Sequence, residues 1–104
     1  MSKAKIIRCP VERTATLIAL RWTPLILRDL FLRGACRYQD LLDSLDGISP
    51  NTLSDRLKQL AAAGVVERRF YQNHPPRAEY LLTEKGRALG PVLQAMRDWG
   101  RTYG

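Results

Sequence analysis

The amino-acid sequence predicts a mainly helical domain with one small β-hairpin, in the order α-α-(β)-α-α-β-β-α. Three observations carry that expectation. Leu53, Leu57 and Leu60 recur at i, i+4 and i+7 between Ser49–Pro50 and Gly64, the pattern of a short amphipathic helix with a defined start and stop. The period then changes. Val65–Tyr71 and Ala78–Leu82 are β-rich runs flanking a Pro75–Pro76 loop, which reads as a hairpin with a stiff basic tip. Beyond it, Leu89, Val92, Leu93, Met96, Trp99 and Tyr103 return to helical spacing.

The remaining elements follow in order. A first helix begins near Cys9–Pro10 and runs to about Leu20, with Val11, Ala15 and Ile18 as its inner face. The second starts at Thr23–Pro24, with Thr23 as its cap. Leu25 to Leu32 make it apolar almost all round, which predicts a buried central helix. Arg33–Gly34 ends it, and Ala35–Tyr38 suggests a short strand. The third helix, Tyr38 to Leu45, carries Tyr38, Leu41, Leu42 and Leu45 on one face. Asp46–Gly47 is a turn signal leading through Ile48 into the fourth helix. The third and fourth helices therefore form a helix-turn-helix, and the hairpin after them makes it a winged one. Thr83 caps a final helix, in which Pro91 predicts a kink near Gly90–Pro91. Residues 1–104 read as a single domain.

Composition narrows the function. A chain of 104 residues supports one modest core. Its apolar share of 45% favours a folded state. No apolar run approaches the roughly 20 residues that span a bilayer, and MSKAKIIRCP lacks the apolar stretch of a signal peptide. The expectation is a cytoplasmic protein with no membrane partner. Cys9, Cys36 and His74 are too scattered for a structural zinc site, so neither metal nor cofactor is expected. No nucleophile–base pair, paired catalytic carboxylates or glycine-rich phosphate loop is visible, which argues against an enzyme.

The formal charge of +7 and pI of about 10.0 favour a polyanionic partner. Clustering sharpens this. Arg68, Arg69 and Arg77 crowd the hairpin, Asn73 and His74 share its loop, and Arg56 and Lys58 lie on the helix before it. On that helix Ser49, Asn51, Thr52, Ser54, Asp55, Lys58 and Gln59 offer donors and acceptors. A B-form major groove, about 12 Å wide, admits one helix whose N-terminal turns reach base edges. Arg56 and Lys58 equally suit phosphates. Arg77 suits a narrow minor groove, and His74 can also approach phosphate. Arg68 and Arg69 are adjacent in a strand and so point to opposite faces unless the strand bulges. The bland readings are a basic surface kept for solubility and an ordinary solvated helix face. A winged helix that contacts protein or RNA is the rival function.

The chain resembles the HxlR-type winged helix-turn-helix transcriptional regulators, within the wider MarR-like group. Cys9–Pro10–Val11, Trp22 with Leu25–Ile26–Leu27, and Arg37–Tyr38–x–x–Leu41 carry the first part of the resemblance. Gly47–Ile48–Ser49, Leu53–x–x–Arg56–Leu57–x–x–Leu60 and Gly64–Val65–Val66–Glu67–Arg68 continue it. Its most specific part is Pro75–Pro76–x–x–Glu79–Tyr80–x–Leu82–Thr83–x–x–Gly86, followed by Trp99–Gly100. Ala78 stands where a larger β-branched residue is common, and Asn73–His74 replaces a more apolar wing entry.

The resemblance implies a homodimer formed through the terminal helices, bound to a pseudo-palindromic operator in double-stranded DNA, often as a repressor. Val11, Leu93, Met96, Trp99 and Tyr103 are the candidate dimer residues, although the aromatics could equally close the monomer core. Cys9 and Cys36 are candidate redox sensors. Cys9 stands at a helix N-terminus beside Arg8, and Cys36 precedes Arg37; both settings favour a thiolate. Some relatives sense oxidants or electrophiles through a cysteine near the N-terminus, which Cys9 resembles in position. An oxidant or small-molecule effector is the corresponding partner. The bland reading is that both cysteines are small buried hydrophobes.

Overall fold

The computed structural model describes residues 9–104. Its elements are α1 (Pro10–Ile18), α2 (Thr23–Arg33), β1 (Cys36–Arg37), α3 (Tyr38–Ser44), α4 (Pro50–Ala62), β2 (Val66–Asn73), β3 (Pro76–Leu82), α5 (Glu84–Arg87) and α6 (Gly90–Tyr103). The strands form an antiparallel sheet in the order β1-β3-β2. The short strand expected near Ala35–Tyr38 is thus the third member of the wing sheet.

The core gathers Ile26, Leu27 and Leu30 of α2, Leu41 and Leu45 around α3, and Leu53, Leu57 and Leu60 of α4. Cys36, Val65, Val66 and Leu82 close it from the sheet side. The apolar stripe of α4 points inward as its spacing demands, so its other face is left to solvent.

Several boundaries differ from expectation, each for a local reason. Thr23 does not cap α2; it is the first helical residue, and its backbone N–H is already taken by Leu20 O at 3.1 Å in the preceding turn. Of the predicted inner face of α1, only Ile18 is buried, while Val11 and Ala15 are exposed. Only the last turn of this helix reaches the core. Nor is α2 buried all round: Phe31 and Leu32 are 36% and 74% exposed. The kink expected at Gly90–Pro91 is instead a break. α5 ends at Arg87, α6 starts at Gly90, and Pro91 falls in the first turn of α6, where no backbone N–H is needed.

Candidate nucleic-acid interface

The start of α4 is held by its own cap and by α3. Ser49 Oγ accepts from the Thr52 N–H at 3.1 Å and donates to Thr52 Oγ1 at 2.9 Å. Tyr38, the first residue of α3, donates its phenol O–H to Pro50 O at 2.9 Å, and Ser54 Oγ donates to the same phenol at 3.4 Å. Three expected contact residues, Ser49, Thr52 and Ser54, therefore also build the first turn. Asn51, Asp55, Lys58 and Gln59 lie open on the outer face. Arg56 is turned aside: its side chain is 21% exposed and its Nη1 donates to Asp55 Oδ2 at 2.7 Å. Among the described residues, Asn51, Lys58 and Gln59 have no side-chain hydrogen bond, which leaves their polar ends available.

The far end of α4 is tied to the wing. Gly64 takes φ +75°, a left-handed conformation that ends the helix. Lys85 Nζ donates to Ala63 O at 2.7 Å, covering one of the last carbonyls.

In the wing, the strands run further than expected, to Asn73 and from Pro76, leaving His74–Pro75 as the tip. Asn73, His74 and Arg77 are exposed there, and Gln72 Nε2 donates to His74 O at 3.1 Å. Arg77 has no ion pair among the described residues. A bulge between Phe70 and Gln72 leaves Tyr71 without a cross-strand partner, which locally re-aims the strand. Arg68 and Arg69 do point to opposite faces. Arg68 stacks its guanidinium over the Phe70 ring at 4.8 Å. Arg69 Nη2 donates to Glu79 Oε2 at 2.8 Å. Register places Arg37, Glu79 and Arg69 in one row across the sheet, a carboxylate between two cations.

Sequence patterning gave Lys85 no role, and it did not foresee the contacts that Arg37, Tyr38 and Thr83 make around α4 and the wing. Arg37 donates its backbone N–H to Asp40 Oδ2 at 2.9 Å and its Nη2 to Asp40 Oδ1 at 3.2 Å. The hydrogen bonds from Arg37 hold the Asp40 carboxyl below its ordinary pKa. Asp40, and after it Tyr71, holds the Arg37 guanidinium above its own. An acidic residue three places into a helix was the available signal for this pair.

The two cysteines differ. Cys9 is exposed at the N-cap of α1, while its neighbour Arg8 lies outside the described residues. Cys36 is buried, and its Sγ donates to Gly34 O at 3.5 Å. Burial pushes the Cys36 thiol pKa up, and the opposing pull of Arg33 does not reverse it. The thiolate-favouring setting expected for Cys36 is therefore corrected. Val11, Met96, Trp99 and Tyr103 are exposed, with the last two rings 5.4 Å apart. Leu93 is half-buried against the core. No helix among the described residues is long and apolar enough to cross a membrane.

A capped helix with an open polar face, set in a helix-turn-helix and followed by a basic hairpin, defines a winged helix-turn-helix DNA-binding protein. The chain belongs to the HxlR-like helix-turn-helix family, whose pattern matches residues 17–104. An HTH-type transcriptional regulator of Synechocystis is 45% identical over 95 residues, covering 91% of this chain and 70% of that protein. The HTH-type regulator YdeP of Bacillus subtilis is 38% identical over 95 residues, covering 91% and 73%. Among solved structures, the reduced redox regulator HypR superposes with a TM-score of 0.84 at 33% identity, over 90% of this chain and 92% of that one. Reduced YodB of Bacillus subtilis gives 0.78 at 35% identity, over 93% and 95%. The protein is an HTH-type transcriptional regulator, not an enzyme, and both the fold class and the family resemblance read from the sequence are borne out.

Proposed function

We propose that the protein is a sequence-specific repressor that binds duplex DNA as a homodimer on a pseudo-palindromic operator. The observation that carries this reading is the outer face of α4, where Asn51, Lys58 and Gln59 present polar groups with no partner inside the described chain. Base edges in a major groove offer complementary donors and acceptors. Arg77 and His74 at the wing tip supply the shape and phosphate contacts. Val11, Met96, Trp99 and Tyr103 form the subunit contact; large exposed apolar side chains on the two terminal helices favour cover by a second copy. An oxidant or electrophile acting at Cys9 is the proposed signal. The support is the exposure of Cys9 at a helix start, and the likeness to HypR, solved in reduced and oxidised forms, and to YodB, solved reduced and after diamide. A cytoplasmic site of action accords with this role.

The test pairs fluorescence anisotropy with light scattering. DNA from upstream of the protein's own gene should bind at least tenfold more tightly than a scrambled duplex. Log affinity should fall with log salt at about −0.9 per phosphate neutralised. Light scattering should report a dimer that Trp99→Ala with Tyr103→Ala weakens. Equal affinity for both duplexes, or a stable micromolar monomer, would overturn the reading.

A further inference from the structure

Helix α4 holds a single acidic residue, and it stands at the middle of the outer face. At about 100° per residue, Leu53, Leu57 and Leu60 fill an arc of about 60° turned to the core. Asp55 lies about 170° from the middle of that stripe, further round than Asn51, Lys58 or Gln59. Ala62 shares the same line and carries no polar group. With its leucines on the core, a helix laid in a groove points Asp55 most directly at the groove floor.

The next residue along holds it there. Arg56 lies about 70° from the leucine stripe, so its side chain is largely covered. Its Nη1 donates to Asp55 Oδ2 at 2.7 Å, while the Asp55 side chain stays 58% exposed. Asp55 Oδ1 has no hydrogen bond among the described residues, which leaves one carboxylate oxygen for an outside donor.

A carboxylate against DNA needs a reason. It accepts hydrogen bonds and donates none, and the phosphates repel it. A base edge that offers a donor, with a cation close by, answers both objections; Arg56 is that cation. In the major groove guanine shows two acceptors, thymine an acceptor and a methyl, and adenine an acceptor beside its amine. Cytosine shows only its N4 amine. Asn51 and Gln59 suit adenine and Lys58 suits guanine, so Asp55 adds a preference that those three do not supply.

We propose that Asp55 is a specificity-determining residue that accepts from the N4 amine of one cytosine in each operator half-site. Its second oxygen stays on Arg56. The assignment rests on the duplex-binding reading above and adds a base to it. It also works by exclusion, because every other base brings an acceptor or a methyl group against the carboxylate.

The test selects duplexes from a random pool with the full chain, as wild type, Asp55→Ala and Asp55→Asn. Wild type should enrich half-sites in which one column is cytosine, favoured at least about fivefold over the other bases. Asp55→Ala should level that column and keep the others. Asp55→Asn should move it toward adenine, whose N6 and N7 fit an amide. In a selected duplex, N4-methylcytosine at that column still pairs with guanine but loses the groove-facing N–H. It should weaken wild type at least about fivefold and Asp55→Ala less than about twofold. A cytosine column that survives Asp55→Ala, or equal weakening of both proteins by the methyl group, would overturn the assignment. Loss of every column in Asp55→Ala would overturn it too, by making Asp55 a structural residue. A wild-type pool with no enriched motif would remove the operator reading and this assignment with it, so the two failures are distinguishable.

Discussion

The Thr83 hydroxyl donates to the Gly64 carbonyl at 2.6 Å, joining the end of the wing to the end of the recognition helix. The same oxygen lies 3.1 Å from Val65 O and accepts from the Gly86 N–H at 3.1 Å, so it also caps α5. One hydroxyl thus sets where the wing leaves α4 and where the final helices begin. Thr83→Val keeps the β-branched shape and removes both the proton and the acceptor. The expected loss is about 1–2 kcal/mol of folding stability, the usual cost of a lost cap that leaves a polar group unpaired. Urea denaturation checks it; an unchanged midpoint would mean that water replaces the hydroxyl.

Gly86 is a packing glycine. A Cβ at this position would overlap the Val65 carbonyl and approach Leu82 Cδ2 to 3.1 Å. The obstacle is backbone, which cannot swing aside as a side chain can. Gly86→Ala should cost at least about 2 kcal/mol, within the range for overfilled interiors. A melting curve that matches wild type would show that the α5 turn moves to make room.

On the recognition surface, labour should divide between helix and wing. Asn51→Ala or Lys58→Ala, if either contacts a base, should cost roughly 1–3 kcal/mol on the operator and far less on random DNA. Arg77→Ala should weaken both duplexes by similar factors, because shape and phosphate contacts are shared by all sequences. Arg56→Ala should act mainly through stability, since its guanidinium is committed to Asp55. Equal losses on both duplexes for the α4 variants would refute the division.

Much of this interface was legible because its signals are local. Ser49 and Gly64 bound α4 through groups within one turn, and the Pro75–Pro76 pair marks the wing by its own stiffness. The misreadings share a different cause. Pro91 breaks a helix or starts one depending on where the preceding turn ends, which Thr83 decides from across the α4 terminus. Val11 and Ala15 show by spacing that a face wants cover, but spacing does not say whether the same chain supplies it. Lys58 and Arg56 look alike in the sequence. Only packing shows one extended into solvent and the other turned back onto Asp55.

Asp40 gives the wing a pH dependence. Hydrogen bonds from Arg37 keep its folded pKa below the ordinary value, near 4 for a free aspartate. A lowered carboxyl pKa adds stability that is complete above the unfolded value and lost as pH falls through the folded one. Arg37 stays charged throughout, its pKa being raised further by Asp40. Asp40→Asn should therefore melt below wild type at neutral pH, and the gap should narrow as pH falls through the lowered pKa of Asp40. A gap that persists at pH 2 would assign the effect to hydrogen-bond geometry and not to charge.

The cysteines make the sharpest contrast, because only one of them meets solvent. Diamide takes two hydrogens from a pair of thiols and leaves a disulfide; with glutathione present, an exposed cysteine can pair with it or with a second chain's Cys9. Cys9 is exposed, whereas Cys36 is buried with its thiol pKa raised, which disfavours the reactive thiolate. Because α1 belongs to the proposed subunit contact, a modified Cys9 would rotate one recognition helix against the other. Operator affinity should then change by tenfold or more, about 1.4 kcal/mol. Cys36→Ser should keep that response and Cys9→Ser should lose it, with mass spectrometry identifying the disulfide partner. If Cys36→Ser abolishes the response, or if Cys9→Ser responds like wild type, then Cys9 is not the trigger.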